Sequence, residues 1–235
     1  MHNNNPYQNK LFSILGDSIS TLGGYSVPEE AAFYAGMKKF EADVFLPEDT
    51  WWGQVIDALG GTLLVNQSIS GSMVVKHPRC LIPSYGCSTE RTSSLGRDGR
   101  SPDVIWVYLG TNDWGAGVQP TPVLSSEEGS LAIFSVAYRR MLEQLRANYP
   151  QAEIWCFTLA VSTYSKQENF TFPYYYAGRH IETYCEVIRA CAEEFGCRVI
   201  DLYGTAEPYD TIDEFHPNAE GMRTLSRAVL AQVES

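Results

Sequence analysis

Five short apolar runs, at 11–15, 62–66, 104–109, 154–159 and 199–202, constrain this chain more than any other feature. They are rich in β-branched and aromatic residues, and they are continuous rather than alternating. That is how strands read when both faces of their sheet are covered. Helical patterns lie between them: 52–59, stopped by Gly60-Gly61; 131–148, closed by Pro150; 181–195, stopped by Gly196; and 219–233. In the second of these, Ile133, Val136, Ala137, Met141, Leu142 and Leu145 recur at helical spacing. Strand and helix in alternation predict a parallel sheet with right-handed crossovers and helices on both faces. In such α/β sheets, reactive groups gather beyond the carboxyl ends of the strands.

The chain's 235 residues fit one domain, and no repeat or linker divides them, so 1–235 is read as a single domain. A domain of this size buries about 70–75% of its unfolded surface and needs no staples. The net charge of −11 repels nucleic acid and anionic membrane alike, and neither is expected as a partner. No stretch approaches the roughly 18 apolar residues of a membrane span. The start, Met1 to Pro6, lacks a positive leader, so the expectation is a cytoplasmic protein, with a secreted form whose signal has been removed as the alternative. The sequence assigns no oligomeric state. Six cysteines in so long a chain make no disulfide scaffold. They are read as buried thiols, a Cys80–Cys87 bridge being the alternative in an oxidising compartment.

Polar motifs follow four of the five runs. Ser18 comes after the first, within Gly16-Asp17-Ser18. The turn 66–72, ending in Ser70-Gly71-Ser72, follows the second; Gly110-Thr111-Asn112-Asp113 follows the third; and Asp213-Glu214-Phe215-His216-Pro217 precedes the last helix. Two long segments, 71–103 and 160–177, also follow predicted strands and belong on the same rim.

Acyl transfer to a serine requires a nucleophile, a base, a group orienting the base, and donors for the oxyanion. Ser18 is the candidate nucleophile and His216 the base. Of the other histidines, His2 is near the terminus, His77 is in a long loop and His180 begins a helix. Asp213, three residues before His216, can reach its ring across one turn. The backbone N–H groups of Ser18 and Gly71 and the side-chain amide of Asn112 are the candidate oxyanion donors, glycine allowing close approach and asparagine donating without titrating.

These blocks, in this order and spacing, resemble the SGNH (GDSL-type) hydrolases across almost the whole chain. The resemblance implies a flavodoxin-like three-layer α/β/α sandwich with a five-stranded parallel sheet of order 2-1-3-4-5. It implies esterase chemistry with no metal or organic cofactor. Onto this chain it carries Ser18, Gly71, Asn112 and His216 as the name-giving residues and Asp213 as the orienting acid. It does not specify the segment after Gly71.

Other readings of the same residues are structural. Asp213 can cap the last helix. Asp17 and Asp113 can serve turns through nearby backbone N–H groups, which is preferred to a glycosidase carboxylate pair. Among the aromatics, Trp114 and Tyr174 are the expected substrate contacts, with Tyr175 and Tyr176 in the same loop. The resulting expectation is a serine esterase removing small O-acyl groups, acetyl above all, from a small-molecule or oligosaccharide ester. The alternatives are a lysophospholipase or acyl-thioesterase with the same machinery, and an inactive carbohydrate-binding or scaffold protein.

Overall fold

The computed structural model describes residues 5–78 and 85–233. Its central sheet has five strands: β1 (Leu11–Gly16), β2 (Thr62–Asn66), β3 (Val104–Tyr108), β4 (Glu153–Phe157) and β5 (Arg198–Ile200). All neighbouring pairs are parallel, and the order is β2-β1-β3-β4-β5. The strand order therefore reverses at β1, and the crevice of this topological switch opens between the ends of β1 and β3. Phe12 to Gly16 pair in register with Val104 to Tyr108, bringing both ends to the same level.

Residues along β3 alternate between two cores despite their continuous apolar reading. Val104, Trp106 and Tyr108 join α1 (Trp51–Ala58) and a terminal helix, Ala219–Val233, on one face. Ile105 and Val107 join helices Phe134–Asn148 and Ile181–Glu194 on the other. These three later helices are α2 (Phe134–Asn148), α3 (Ile181–Glu194) and α4 (Ala219–Val233). The result is a three-layer α/β/α sandwich. Trp51, Trp106 and Trp155 are fully buried in the first core, Trp106 lying between the other two rings. Burying a tryptophan removes about 200 Å² from water, a gross gain of about 5 kcal/mol before entropy is counted.

Several expected boundaries move, the run over 154–159 becoming Glu153–Phe157 among them, and three move for a clear local reason. The helix expected from 131 begins at Phe134, because the Phe134 and Ser135 N–H groups are taken by the carbonyls of Gln119 and Pro120. The strand expected over 199–202 ends at Ile200, since Asp201 caps a short helix, Leu202–Thr205, by accepting from Gly204 N–H. The third run, expected to reach 109, ends at Tyr108; Gly110 then turns the chain with φ +130°. A side chain at Gly110 would meet Leu159 and Phe134 at 3.2 Å, so residue 110 must be small as well as permissive.

Two small pairings lie outside the main sheet. Ser162–Thr163 pairs with Tyr209–Asp210, and Tyr175–Tyr176 forms a hairpin with Arg179–His180. Cys156, Cys185 and Cys191 are buried free thiols, Cys197 is a half-buried one, and Cys87 is buried; Cys80, and with it the Cys80–Cys87 alternative, and His2 lie outside the described residues. No helix among the described residues is long and apolar enough to cross a membrane.

Candidate active site

At the end of β1 the chain must leave the sheet within two residues. Asp17 caps the turn, its Oδ1 accepting from Ile19 N–H at 3.0 Å, and residues 18–20 make one 3-10 turn. Thr21 closes it, its hydroxyl donating to the Ser18 carbonyl at 2.8 Å. Ser18 is thereby fixed at the sheet edge, 6% exposed.

The segment carrying His216 is anchored independently. Thr211 Oγ1 donates to the Thr163 carbonyl at 2.7 Å, Ile212 N–H to the His216 carbonyl at 2.9 Å, and buried Tyr34 to the Pro217 carbonyl at 2.8 Å. Asp213 accepts backbone N–H groups from Phe215 at 3.3 Å and His216 at 2.9 Å. The same carboxylate receives His216 Nδ1 at 2.8 and 2.9 Å. Burial alone would raise the Asp213 carboxyl; the hydrogen bonds and charge of His216 outweigh it and hold the group below the usual carboxylate range. On the far side of the ring, His216 Nε2 stands 2.9 Å from Ser18 Oγ. With Nδ1–H donating to Asp213, Nε2 is left to accept from the serine hydroxyl.

The loops after β2 and β3 complete the rim. Gly71 adopts φ +73°, a region that favours glycine. Asn112, in the short helix Thr111–Gly115, donates from Nδ2 to the Ser72 carbonyl at 3.0 Å and approaches Asp17 Oδ2 at 3.5 Å. Asp113 is fully buried and accepts from Val74 N–H at 2.9 Å and Val75 N–H at 3.2 Å. It therefore ties the third loop to the second, a longer reach than the nearby turn expected of it. Burial pushes the Asp113 carboxyl up to about 7 against those two N–H donors. Burial likewise pushes Asp17 up to about 7, with Asp113 adding to the rise while Ile19 N–H and Arg91 oppose it.

A cavity of about 340 Å³ opens over these groups. Ser18, Gly71, Thr111, Asn112 and His216 line its polar part, while Ile19, Met73, Gly115, Ala116, Tyr176 and Phe215 line the rest. The five residues expected to form the machinery thus come together from four loops. The two expected substrate contacts do not line the cavity. Trp114 is 1% exposed, its indole N–H spent on the Arg179 carbonyl at 3.0 Å, and it packs behind Tyr176 and Phe215. Tyr174 stacks on His180, ring centroids 6.0 Å apart, and Tyr176 from the same hairpin takes the place at the wall. No group of three or more His, Cys, Asp or Glu among the described residues is arranged to hold a metal ion.

Sequence reasoning missed two residues. Phe33 stacks on the His216 ring, and buried Arg91 joins the end of β1 to both ends of the loop after β2. Neither carries a local signal, since Phe33 sits in a segment without periodicity and Arg91 reads as an ordinary surface charge.

Comparison with known proteins bears on the family and the fold. The model of the GDSL-like lipase/acylhydrolase family matches residues 10–171, a span that holds the first three loops and stops short of Asp213 and His216. A solved structure described as a GDSL-like lipase from Bacteroides uniformis is 27% identical, with 96% of each chain covered and a TM-score of 0.71. Another so described, from Bacteroides ovatus, is 24% identical over 97% of this chain and 99% of its own, also with a TM-score of 0.71. Est24 of Sinorhizobium meliloti, described as a carbohydrate acetylesterase, shares the fold at 16% identity, with coverage of 96% and 99% and a TM-score of 0.64. No curated protein matches the chain.

Proposed function

This chain belongs to the GDSL-like lipase/acylhydrolase family of carboxylic ester hydrolases, and within that family we propose that it is a serine esterase removing small O-acyl groups, acetyl above all, from a carbohydrate. The observation that carries the reading is the unbroken line from Asp213 through His216 to Ser18 Oγ, with contacts of 2.8 and 2.9 Å, at the polar part of an open cavity.

In this proposal His216 Nε2 takes the proton as Ser18 Oγ attacks the ester carbonyl. Asp213 holds the imidazole tautomer and stabilises the imidazolium that forms. The oxyanion is met by the N–H groups of Ser18 and Gly71 and by Asn112. One Asn112 hydrogen is committed to Ser72, but the other makes only the long 3.5 Å contact to Asp17, leaving it for the substrate oxygen. His216 then gives its proton to the leaving alcohol. Water, activated by the same base, attacks the acyl carbonyl, and Ser18 departs with its proton restored. The machinery is drawn from loops spread over the whole fold, so the proposal takes 1–235 as a single catalytic domain.

The substrate class rests on the cavity. About 340 Å³ holds a short acyl group and part of an alcohol, and among the described residues its lining includes no long aliphatic channel. Tyr176 and Phe215, the latter adjacent to His216, offer ring faces on the side to which the leaving alcohol must receive its proton. The fold shared with a carbohydrate acetylesterase is in keeping with this. The test is a panel of acetylated sugars with nitrophenyl acetate and octanoate, using Ser18→Ala as the blank. Turnover of sugar acetates and a preference for acetate are expected. A strong preference for octanoate would move the substrate to lipid or thioester, and no fluorophosphonate labelling at Ser18 would overturn the nucleophile.

A further inference from the structure

Arg91 is 3% exposed, and its guanidinium is spent inside the protein on the rim just described. Nη2 donates to the Gly16 carbonyl at 2.9 Å and to the Gln67 carbonyl, and Nη1 donates to Ser72 Oγ. Gly16 is the last residue of β1, two before the nucleophile. Gln67 follows β2 directly, and Ser72 follows Gly71. Burying a guanidinium is costly unless planar donors meet well-placed acceptors, so a fold that keeps one here obtains geometry from it.

Ser72 is the joint. Its hydroxyl accepts from Arg91, while its carbonyl accepts from Asn112 Nδ2 at 3.0 Å. The N–H of the preceding Gly71 and the Asn112 amide are two of the three proposed oxyanion donors. Arg91 itself is carried on a short helix, Thr89–Ser93, capped by the Ser88 hydroxyl, which accepts from Arg91 N–H at 3.2 Å. That helix lies in the long segment after Gly71 for which no role was assigned from the sequence.

We propose that Arg91 is the positioning residue of the oxyanion hole: it holds Ser72, and through Ser72 it sets Gly71 N–H and the Asn112 amide relative to Ser18. It acts through those groups and does not touch substrate. The proposal rests on the serine-esterase reading above. Because oxyanion donors act on the transition state more than on the bound ester, their misplacement lowers kcat and spares KM. Lysine cannot replace the guanidinium, since one ammonium cannot span three acceptors placed at the end of β1 and at both ends of the loop after β2.

The experiment is nitrophenyl acetate kinetics on Arg91→Lys, Arg91→Ala and Ser72→Ala beside the parent and Ser18→Ala, with melting temperatures taken for each. Arg91→Lys is expected to lose about 10–100-fold in kcat with KM within about twofold, somewhat less than deletion of a donor outright. Guanidinium ions at concentrations too low to unfold the protein are expected to restore kcat to Arg91→Ala, and urea is not. Parent kcat in folded Arg91→Lys, or no guanidinium rescue of folded Arg91→Ala, overturns the proposal while an inactive Ser18→Ala leaves the esterase reading standing. Should the Arg91 variants fail to fold, Ser72→Ala decides: a kcat loss at unchanged KM supports the proposal, and parent kcat overturns it. Parent activity in Ser18→Ala overturns the esterase reading and this proposal with it.

Discussion

Phe33 lies flat against the imidazole of His216, ring centroids 3.5 Å apart and planes 8° from parallel. Its backbone N–H donates to Thr21 Oγ1 at 2.9 Å, and that hydroxyl in turn donates to the Ser18 carbonyl. The ring covering the proposed base is therefore tied to the turn that carries the proposed nucleophile. Such a stack restricts the imidazole to the plane in which both nitrogens meet their partners. An aromatic contact of this kind is worth about 0.5–1.5 kcal/mol, so Phe33→Ala is expected to lower kcat/KM about 2–10-fold. Phe33→Tyr should retain most activity. Steady-state kinetics with nitrophenyl acetate checks both, and unchanged kcat/KM in Phe33→Ala would show that Asp213 alone holds the ring.

Replacing the nucleophile or the base should be far more severe. Ser18→Ala and His216→Ala are expected to lower kcat by the order of 10⁶, as in a dissected serine protease, and Asp213→Asn by about 10⁴. The double variant Ser18→Ala/His216→Ala should be no worse than either single one, because the pair acts as a unit. A loss that multiplied would mean that the two residues work separately, despite the 2.9 Å between them.

Asn112→Ala should cost about 10²–10³ in kcat, the usual loss for one oxyanion donor. The Ser72 carbonyl would lose its donor as well, so part of the effect would come from a loosened Gly71 loop. Asn112→Ala with unchanged kcat and a raised KM would assign the amide to substrate binding instead.

What could be read from the sequence was what neighbouring residues decide among themselves. A strand that runs out at Gly16 sets Ser18 just past its carboxyl end, and a three-residue offset lets Asp213 meet His216 within one turn. The five strands and four main helices were readable because each needs only its own apolar pattern. Trp114 was misplaced for a reason of rotation. One residue past Asp113, a turn of helix aims its indole inward toward the hairpin, where Arg179 takes its N–H. Arg91 was hidden because its burial depends on acceptors supplied by Gly16, Gln67 and Ser72, which only the folded sheet brings together.

The hairpin that displaces Tyr174 also makes a prediction. Tyr176 lines the cavity and rests on Trp114, ring centroids 5.6 Å apart. Tyr176→Ala is expected to raise KM for acetylated sugars several-fold while leaving kcat for nitrophenyl acetate within about twofold, because it removes binding surface rather than a reacting group. Equal effects on both substrates would place Tyr176 in support of His216 instead.

The two buried carboxyls predict how stability responds to pH. Asp17, ordinarily ionised above about 3.8, is pushed up to about 7 in the folded protein, chiefly by burial. Between those values the folded state holds a proton that the unfolded state has released. Stability must therefore fall as pH rises through this window and level off above it. The sign is opposite to that of Asp213, whose lowered carboxyl contributes stability at neutral pH and loses it on acidification. Asp17→Asn keeps an oxygen for Ile19 N–H but has no proton to lose. Its stability should therefore decline less than that of the parent between about pH 5 and 8, by about 1 kcal/mol or more, each pKa unit of linkage being worth about 1.4 kcal/mol. Thermal or urea unfolding at each pH measures this. Parallel curves for the two proteins would mean that Asp17 is ionised in the fold throughout, paired with the Arg91 charge that already pulls against its burial.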